Sequence, residues 1–212
     1  MTHPHIFFDL DGTLTDPREG ITGSIQYALE QLGVAAPDKA ELEWCIGPPL
    51  HDSFVHLVGE PQAADAVEHY RVRFDDRGWS ENEPYQGIHD ALAELVRSGR
   101  TLYVASSKPR IFVERILTHF ELREFFTGVH GSELDGTRVD KRELLAYALE
   151  NEQVAAHQAL MLGDRKHDKV GAAHNNMDFV GVLWGYGSAA ELRDAGAERL
   201  FSDIEQLLSL VD

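Results

Sequence analysis

Two spacings of apolar residues alternate along this chain, and they divide it unevenly. The run "HIFFDL" (5–10) reads as a short buried strand, and it places Asp9 and Asp11 two positions apart at its end. The next segment, "DPREGITGSIQYALEQLG" (16–33), repeats Ile21, Ile25, Ala28, Leu29 and Leu32 at three-to-four spacing, which predicts a helix. Asp16 suits its N-cap, Pro17 its first position, Glu19 a capping box and Gly33 its C-terminal stop. Helical spacing continues over 38–45, 50–58 and 62–77, with "IGPPL" (46–50) as a stiff loop between the first two. No convincing strand is visible from 17 to 80.

After Pro84 the pattern changes to apolar runs alternating with amphipathic stretches. Strands are predicted at 101–106, 126–131, 158–164 and 178–184, with helices at 87–99, 109–120, 140–151 and 168–177. A short strand and a helix complete the chain over 199–211. Alternation of this kind implies an α/β fold, a Rossmann-like parallel sheet covered on both faces. The first strand belongs to that sheet. The expected organisation is therefore a core domain of 1–16 and 83–212, with an all-helical cap domain, 17–82, inserted after the first strand.

Composition narrows the partners. The 212 residues are 43% hydrophobic, enough for a substantial core, and carry a formal net charge of -17. Such a surface repels nucleic acid and anionic lipid. Cys45 is the only cysteine, which excludes an internal disulfide and fits a reducing, cytoplasmic setting. No signal peptide and no apolar run of roughly 18 residues is apparent, so no membrane partner is expected. The 11 histidines form no metal-binding spacing.

Ligands of open parallel sheets bind beyond the carboxyl ends of the strands. Here those ends carry Asp9 and Asp11, then Ser106, Ser107, Lys108 and Arg110, and later Asp164 and Asp168; Lys141 and Arg142 lie near a helix start. Two carboxylates as close as Asp9 and Asp11 raise each other's cost unless a cation offsets them. Asp9, Asp11 and Asp164 make a hard oxygen cage suited to Mg²⁺. Lys141 adds fixed positive charge, Ser106 a hydroxyl, and the backbone at Gly12 and Thr13 offers N–H groups for phosphate oxygens. An EF-hand loop counted from Asp9 would need Gly and Glu where Leu14 and Gly20 stand, so it is excluded.

"DLDGT" (9–13), a strand ending in Ser106, Lys141 before a helix and "GDRKHD" (163–168), in that order, resemble the haloacid dehalogenase superfamily, and within it phosphoglycolate phosphatase-like enzymes with a helical cap. The resemblance implies a Mg²⁺-dependent phosphatase that hydrolyses a small-metabolite phosphomonoester through an aspartyl-phosphate. Asp9 matches the nucleophile and a metal ligand. Asp11 matches the general acid/base, its carbonyl a metal ligand. Ser106 and Lys141 match phosphate binders, Asp164 the remaining acidic metal ligand, and Asp168 an acid beside the metal. Gly12, Thr13, Arg18, Ser107 and Lys108 are further candidates for binding substrate, while Lys108, Arg110, Arg165 and Lys166 are equally readable as solvated surface charges. Trp44, Phe54 and Tyr27 read as cap core. The cap is expected to restrict the enzyme to small soluble substrates. Phosphoglycolate, a nucleoside monophosphate (a 5'-nucleotidase reading) and a sugar phosphate all stay open, as do a phosphomutase, a non-enzymatic phospho-accepting module, and a monomer or homodimer.

Overall fold

The computed structural model describes residues 3–211. In chain order its elements are β1 (His5–Phe8), β2 (Thr15–Asp16), α1 (Arg18–Gln31), α2 (Leu50–Val58), α3 (Glu60–Arg73), β3 (Glu83–Pro84), α4 (Ile88–Arg97), β4 (Thr101–Pro109), α5 (Arg110–His119), β5 (Phe126–Ser132), α6 (Lys141–Glu152), β6 (Ala159–Gly163), α7 (Lys166–His174), β7 (Asp178–Val182), α8 (Ala189–Asp194) and β8 (Leu200–Phe201). Contacts divide them into two units, one running up to Asp16 and from Pro84 onward, the other Pro17–Glu83.

The first unit holds a six-stranded parallel sheet in the order β5-β4-β1-β6-β7-β8. Sheets buried on both faces have strands that read as continuous apolar runs rather than alternating ones. Ile6, Phe7 and Phe8 are accordingly all buried, as are Leu102, Val104, Leu160, Met161 and Leu162. Phe7 stacks on Tyr103 at 4.6 Å within a core shared with Leu144, Leu145 and Ala148 of α6. Phe8 meets Phe126 edge-on at 6.1 Å. This is the α/β class expected from the alternation.

The second unit is helical. Ile25, Leu29, Leu42, Phe54 and Phe74 are among its buried apolar residues, and Tyr70 stacks on Phe74 at 5.3 Å. Residues 39–45 form a 3₁₀ rather than an α-helix, and α3 runs into a π-turn, Phe74–Gly78. Phe54 is core, as expected; Trp44 is not, being 41% exposed with its ring against His56.

Several boundaries differ from expectation for identifiable reasons. β1 stops at Phe8 because the Leu10 carbonyl accepts from Thr13, Leu14 and Thr15, which turns the chain. The capping box at Asp16 does not form; Pro17 is the N-cap of α1, and Asp16 accepts from the Tyr186 hydroxyl instead. β4 runs three residues past Ser106, with an irregular register, until Pro109 pairs with Ser132. α8 lies where no element was expected, although Ser188 caps it by accepting from the Glu191 N–H.

Candidate active site

β1 is central, and the chain winds from it through β4 to β5 on one side and through β6 to β8 on the other. The reversal lies between β1 and β6, where ligands of doubly wound sheets bind. Asp9 directly follows β1 and Asp164 directly follows β6. The Asp9 N–H still donates to the Leu162 carbonyl at 2.9 Å, so the pairing that builds the sheet also fixes the nucleophile candidate. Asp168 enters from the first turn of α7, and its Oδ2 accepts from the Arg165 N–H at 3.1 Å.

One oxygen from each of Asp9, Asp164 and Asp168 lies within 4.8 Å of the others, and all three residues are buried. Lys141, at the start of α6 and 5% exposed, holds two of them together. Its Nζ is 3.0 Å from Asp9 Oδ1 and 2.8 Å from Asp168 Oδ1, and donates to the Ala105 carbonyl at 2.8 Å. Those two carboxylate oxygens face the ammonium without a well-aligned hydrogen bond. Asp164 is held differently. Its Oδ2 accepts from the Tyr186 N–H at 2.8 Å, while Oδ1 is buried with no hydrogen-bond partner.

The electrostatics follow from burial. Burial pushes the Asp164 carboxyl well above its ordinary range, and the charges of Asp168 and Asp9 push the same way. Burial likewise raises Asp168 to about 6, against the opposing pull of Lys141. For Lys141 burial favours loss of the proton, but Asp168 and Asp9 outweigh it and the net shift is upward. A divalent cation suits this donor set. It would give Asp164 Oδ1 a partner and neutralise acids that one ammonium only partly offsets. Asp9, Asp164 and Asp168 are the side chains that could hold it.

The Asp11 carboxylate stands apart from that cluster. Its Oδ1 accepts from Lys108 Nζ at 2.6 Å, with both side chains almost wholly buried. Burial raises Asp11, the Lys108 charge opposes this, and Asp9 adds to it. Lys108 is therefore not a solvated surface charge, nor is Arg165, whose guanidinium pairs with Glu191 at 3.0 Å. Ser106 is buried at the β4 end, and its Oγ accepts from the Lys108 N–H at 3.4 Å. Ser107 is half-buried, with its carbonyl accepting from Ser132 Oγ at 2.8 Å. Thr13 is buried and its Oγ1 has no partner. Gly12 has φ +80°, and a Cβ there would lie 2.3 Å from Asp164 Oδ2, so the loop needs glycine twice over. Arg18 belongs to the helical unit, where it pairs with Glu43 at 2.6 Å and with Glu19.

Sequence reasoning missed the segment "WGYG" (184–187). Tyr186 anchors Asp164 through its backbone, and Trp184 Nε1 donates to the Thr13 carbonyl at 3.0 Å. Its signal was available: two glycines around an aromatic, directly after a strand. Tyr85 was also missed. Its hydroxyl is pushed upward by burial and by the nearby charges of Asp16, Asp164 and Asp11.

A parallel doubly wound sheet whose strand ends gather three buried aspartates, two of them against a lysine, is the arrangement of a hydrolase active site. The chain belongs to the haloacid dehalogenase-like hydrolases, whose family model matches residues 6–182. A Pseudomonas aeruginosa 5'-nucleotidase is 47% identical over all of this chain and 97% of its own. The tyrosine-protein kinase PtkA of Mycobacterium tuberculosis is 39% identical over 87% of this chain, which matches 63% of that longer protein. A crystal structure of a predicted phosphatase from Clostridium acetobutylicum superposes with a TM-score of 0.96, at 38% identity over 99% of this chain and 98% of that one. Phosphoglycolate phosphatases are also relatives, at 26% identity. The chain is a phosphoric monoester hydrolase.

Proposed function

We propose that this enzyme is a Mg²⁺-dependent phosphatase of small soluble phosphomonoesters, with nucleoside 5'-monophosphates as its foremost substrate class. The observation that carries the metal is the buried trio Asp9, Asp164 and Asp168, with Asp164 Oδ1 left without a partner. The 5'-nucleotidase relative, at 47% identity along nearly its full length, supports the substrate class over phosphoglycolate, whose phosphatases are more distant. A net charge of -17 supports a free metabolite rather than nucleic acid or a membrane surface. Among the described residues no helix is long and apolar enough to cross a membrane.

In this reading Asp9 attacks phosphorus and forms an aspartyl-phosphate, while Asp11 gives its proton to the departing ester oxygen. Asp11 then takes a proton from the water that attacks the phosphorus, releasing phosphate and restoring Asp9. Ser106 binds a phosphoryl oxygen, whereas the Gly12 and Thr13 N–H groups, expected from the sequence to do so, donate instead to the Thr15 carbonyl at 2.8 Å and the Leu10 carbonyl at 3.2 Å, because the turn after β1 uses them. Lys141, 3.0 Å from Asp9 Oδ1, neutralises charge as it builds. Asp9, Asp164, Asp168 and the Asp11 carbonyl would hold Mg²⁺, which would supply further charge neutralisation, most of what phosphoryl transfer requires. To bind the phosphoryl group, Lys108 has to leave Asp11 when substrate arrives. Arg18 has to leave Glu43 to do the same.

The helical unit is read as the substrate selector. Replacing 17–82 with a short Gly/Ser linker is expected to retain weak activity on p-nitrophenyl phosphate and to lose discrimination among metabolites. The PtkA relative supports a second reading, phosphoryl transfer to protein tyrosine. Incubation with ATP and a tyrosine-bearing protein separates the two. Mg²⁺-dependent phosphate release from nucleoside monophosphates without protein labelling supports the phosphatase, and labelling without that release supports the kinase.

A further inference from the structure

A second polar recess lies on the outer edge of the sheet, along β5. It has a volume of about 320 Å³, and its walls come from the first turns of α5, the end of β5 and one side of α6. All of it lies within the sheet-bearing unit. β4 stands between it and β1, so it is separate from the aspartate cluster.

Its lining is rich in ionisable groups, and their pairing is uneven. Each of three glutamates is already engaged. Glu114 pairs with Arg123 at 2.7 Å, Glu133 with Arg138, and Glu152 Oε1 accepts from His130 Nε2 at 2.9 Å and Asn151 Nδ2 at 3.2 Å. Arg123 spends another N–H on the Phe126 carbonyl at 2.7 Å. What remains is an excess of donors. The Arg110 guanidinium is exposed at the mouth and pairs with no described residue. Arg138 lies over the Tyr147 ring at 4.3 Å, and its Nε is buried without a hydrogen-bond partner. Leaving such a donor unmet is costly unless a ligand or water meets it. His130, 5% exposed, is held toward its neutral form by burial, with Glu152 opposing.

We infer that this recess binds a small oxyanion, a phosphate- or carboxylate-bearing metabolite, through Arg110 and Arg138. Guanidinium groups match such planar or three-oxygen acceptors in a way that a single ammonium does not. Neither arginine belongs to the proposed catalytic machinery. The recess floor also touches that machinery's frame: Gly131 pairs with Ser106 in the β4–β5 register, and Ser132 Oγ donates to the Ser107 carbonyl. An occupant would therefore rest on the strand that neighbours the phosphate-binding segment.

The test is a titration of metal-free Asp9→Asn protein with sulfate, inorganic phosphate and citrate in separate arms, followed through backbone amide resonances. Asp9→Asn removes turnover while leaving the recess untouched. Saturable shifts are expected at Arg110, His130, Gly131 and Arg138. Adding Arg110→Gln is expected to weaken the affinity read from these shifts about tenfold, and adding Arg138→Gln to do the same. Arg110 pairs with no described residue, so its variant folds whatever Arg138→Gln does. Response to sulfate and phosphate but not citrate assigns a phosphate-type ligand, and the reverse a carboxylate. Absence of saturable shifts at these four residues in every arm, or shifts that persist with unchanged affinity in Arg110→Gln, overturns the site.

Discussion

Lys141→Met tests how the buried charges are balanced. The wild-type ammonium faces two carboxylates, at 3.0 and 2.8 Å, and all three side chains are at most 7% exposed, so solvent screens little. Removing one partner of a buried ion pair costs about 3–5 kcal/mol. One cation serves two acids here, so the metal-free protein should lose about 4–5 kcal/mol at pH 8, a large share of a typical stability of about 5–15 kcal/mol. Methionine fills the volume of the lysine stem, so the loss reports charge rather than a cavity. Asp168, already raised by burial and raised further without the ammonium, takes up a proton as pH falls. A raised folded-state value means stability recovered on acidification, so the deficit should shrink from pH 8 towards pH 5. Mg²⁺ should restore more stability to the variant than to the wild type, since it replaces the missing positive charge. Urea denaturation with chelator and with excess Mg²⁺, at both pH values, measures each quantity. A metal-free deficit under about 1 kcal/mol, or one independent of pH, would refute the balance described.

Other expectations follow from the same geometry. Asp9→Asn should abolish turnover with an unchanged circular dichroism spectrum, because an amide neither attacks phosphorus nor binds Mg²⁺ well. Asp11→Asn should slow turnover by about 10²–10⁴ while Mg²⁺ binding, followed by calorimetry, persists. Burial holds Asp164 well above its ordinary range and Asp168 at about 6 in the metal-free protein, so Mg²⁺ has to displace protons. Its affinity should therefore fall steadily from pH 8 to pH 5, with proton release measurable in buffers of different ionisation enthalpy. Gly187→Ala would place a Cβ 1.7 Å from the Asp164 carbonyl oxygen, so the half-saturating Mg²⁺ concentration should rise although no ligand is removed.

The sheet and the acids at its ends were legible in sequence for one reason. A strand buried on both faces is an uninterrupted apolar run, and an aspartate directly after such a run can only stand at a strand end. Lys141 was legible because it opens a helix that Asp140 caps by accepting from the Arg142 N–H. What escaped depends on contacts far apart in the chain. Nothing near Lys108 shows that it reaches back 97 positions to Asp11, so its sequence is readable either as a substrate-binding or as a surface lysine. The pairing of Pro109 with Ser132 prolongs β4, although proline in sequence reads as a strand terminator. Asp16 had every local feature of a helix cap and was diverted by the Tyr186 hydroxyl, 170 positions away.

The proposed chemistry has Asp9 and a Mg²⁺ ion acting together on small phosphomonoesters. Its most direct test is phosphate release from a panel of nucleoside 5'-monophosphates, sugar phosphates and phosphoglycolate, with Mg²⁺ titrated from chelator-treated enzyme and Asp9→Asn run alongside. Saturable dependence on Mg²⁺, highest kcat/KM on a nucleoside 5'-monophosphate and no release by Asp9→Asn are expected. Turnover that ignores Mg²⁺, or that survives in Asp9→Asn, would contradict this chemistry.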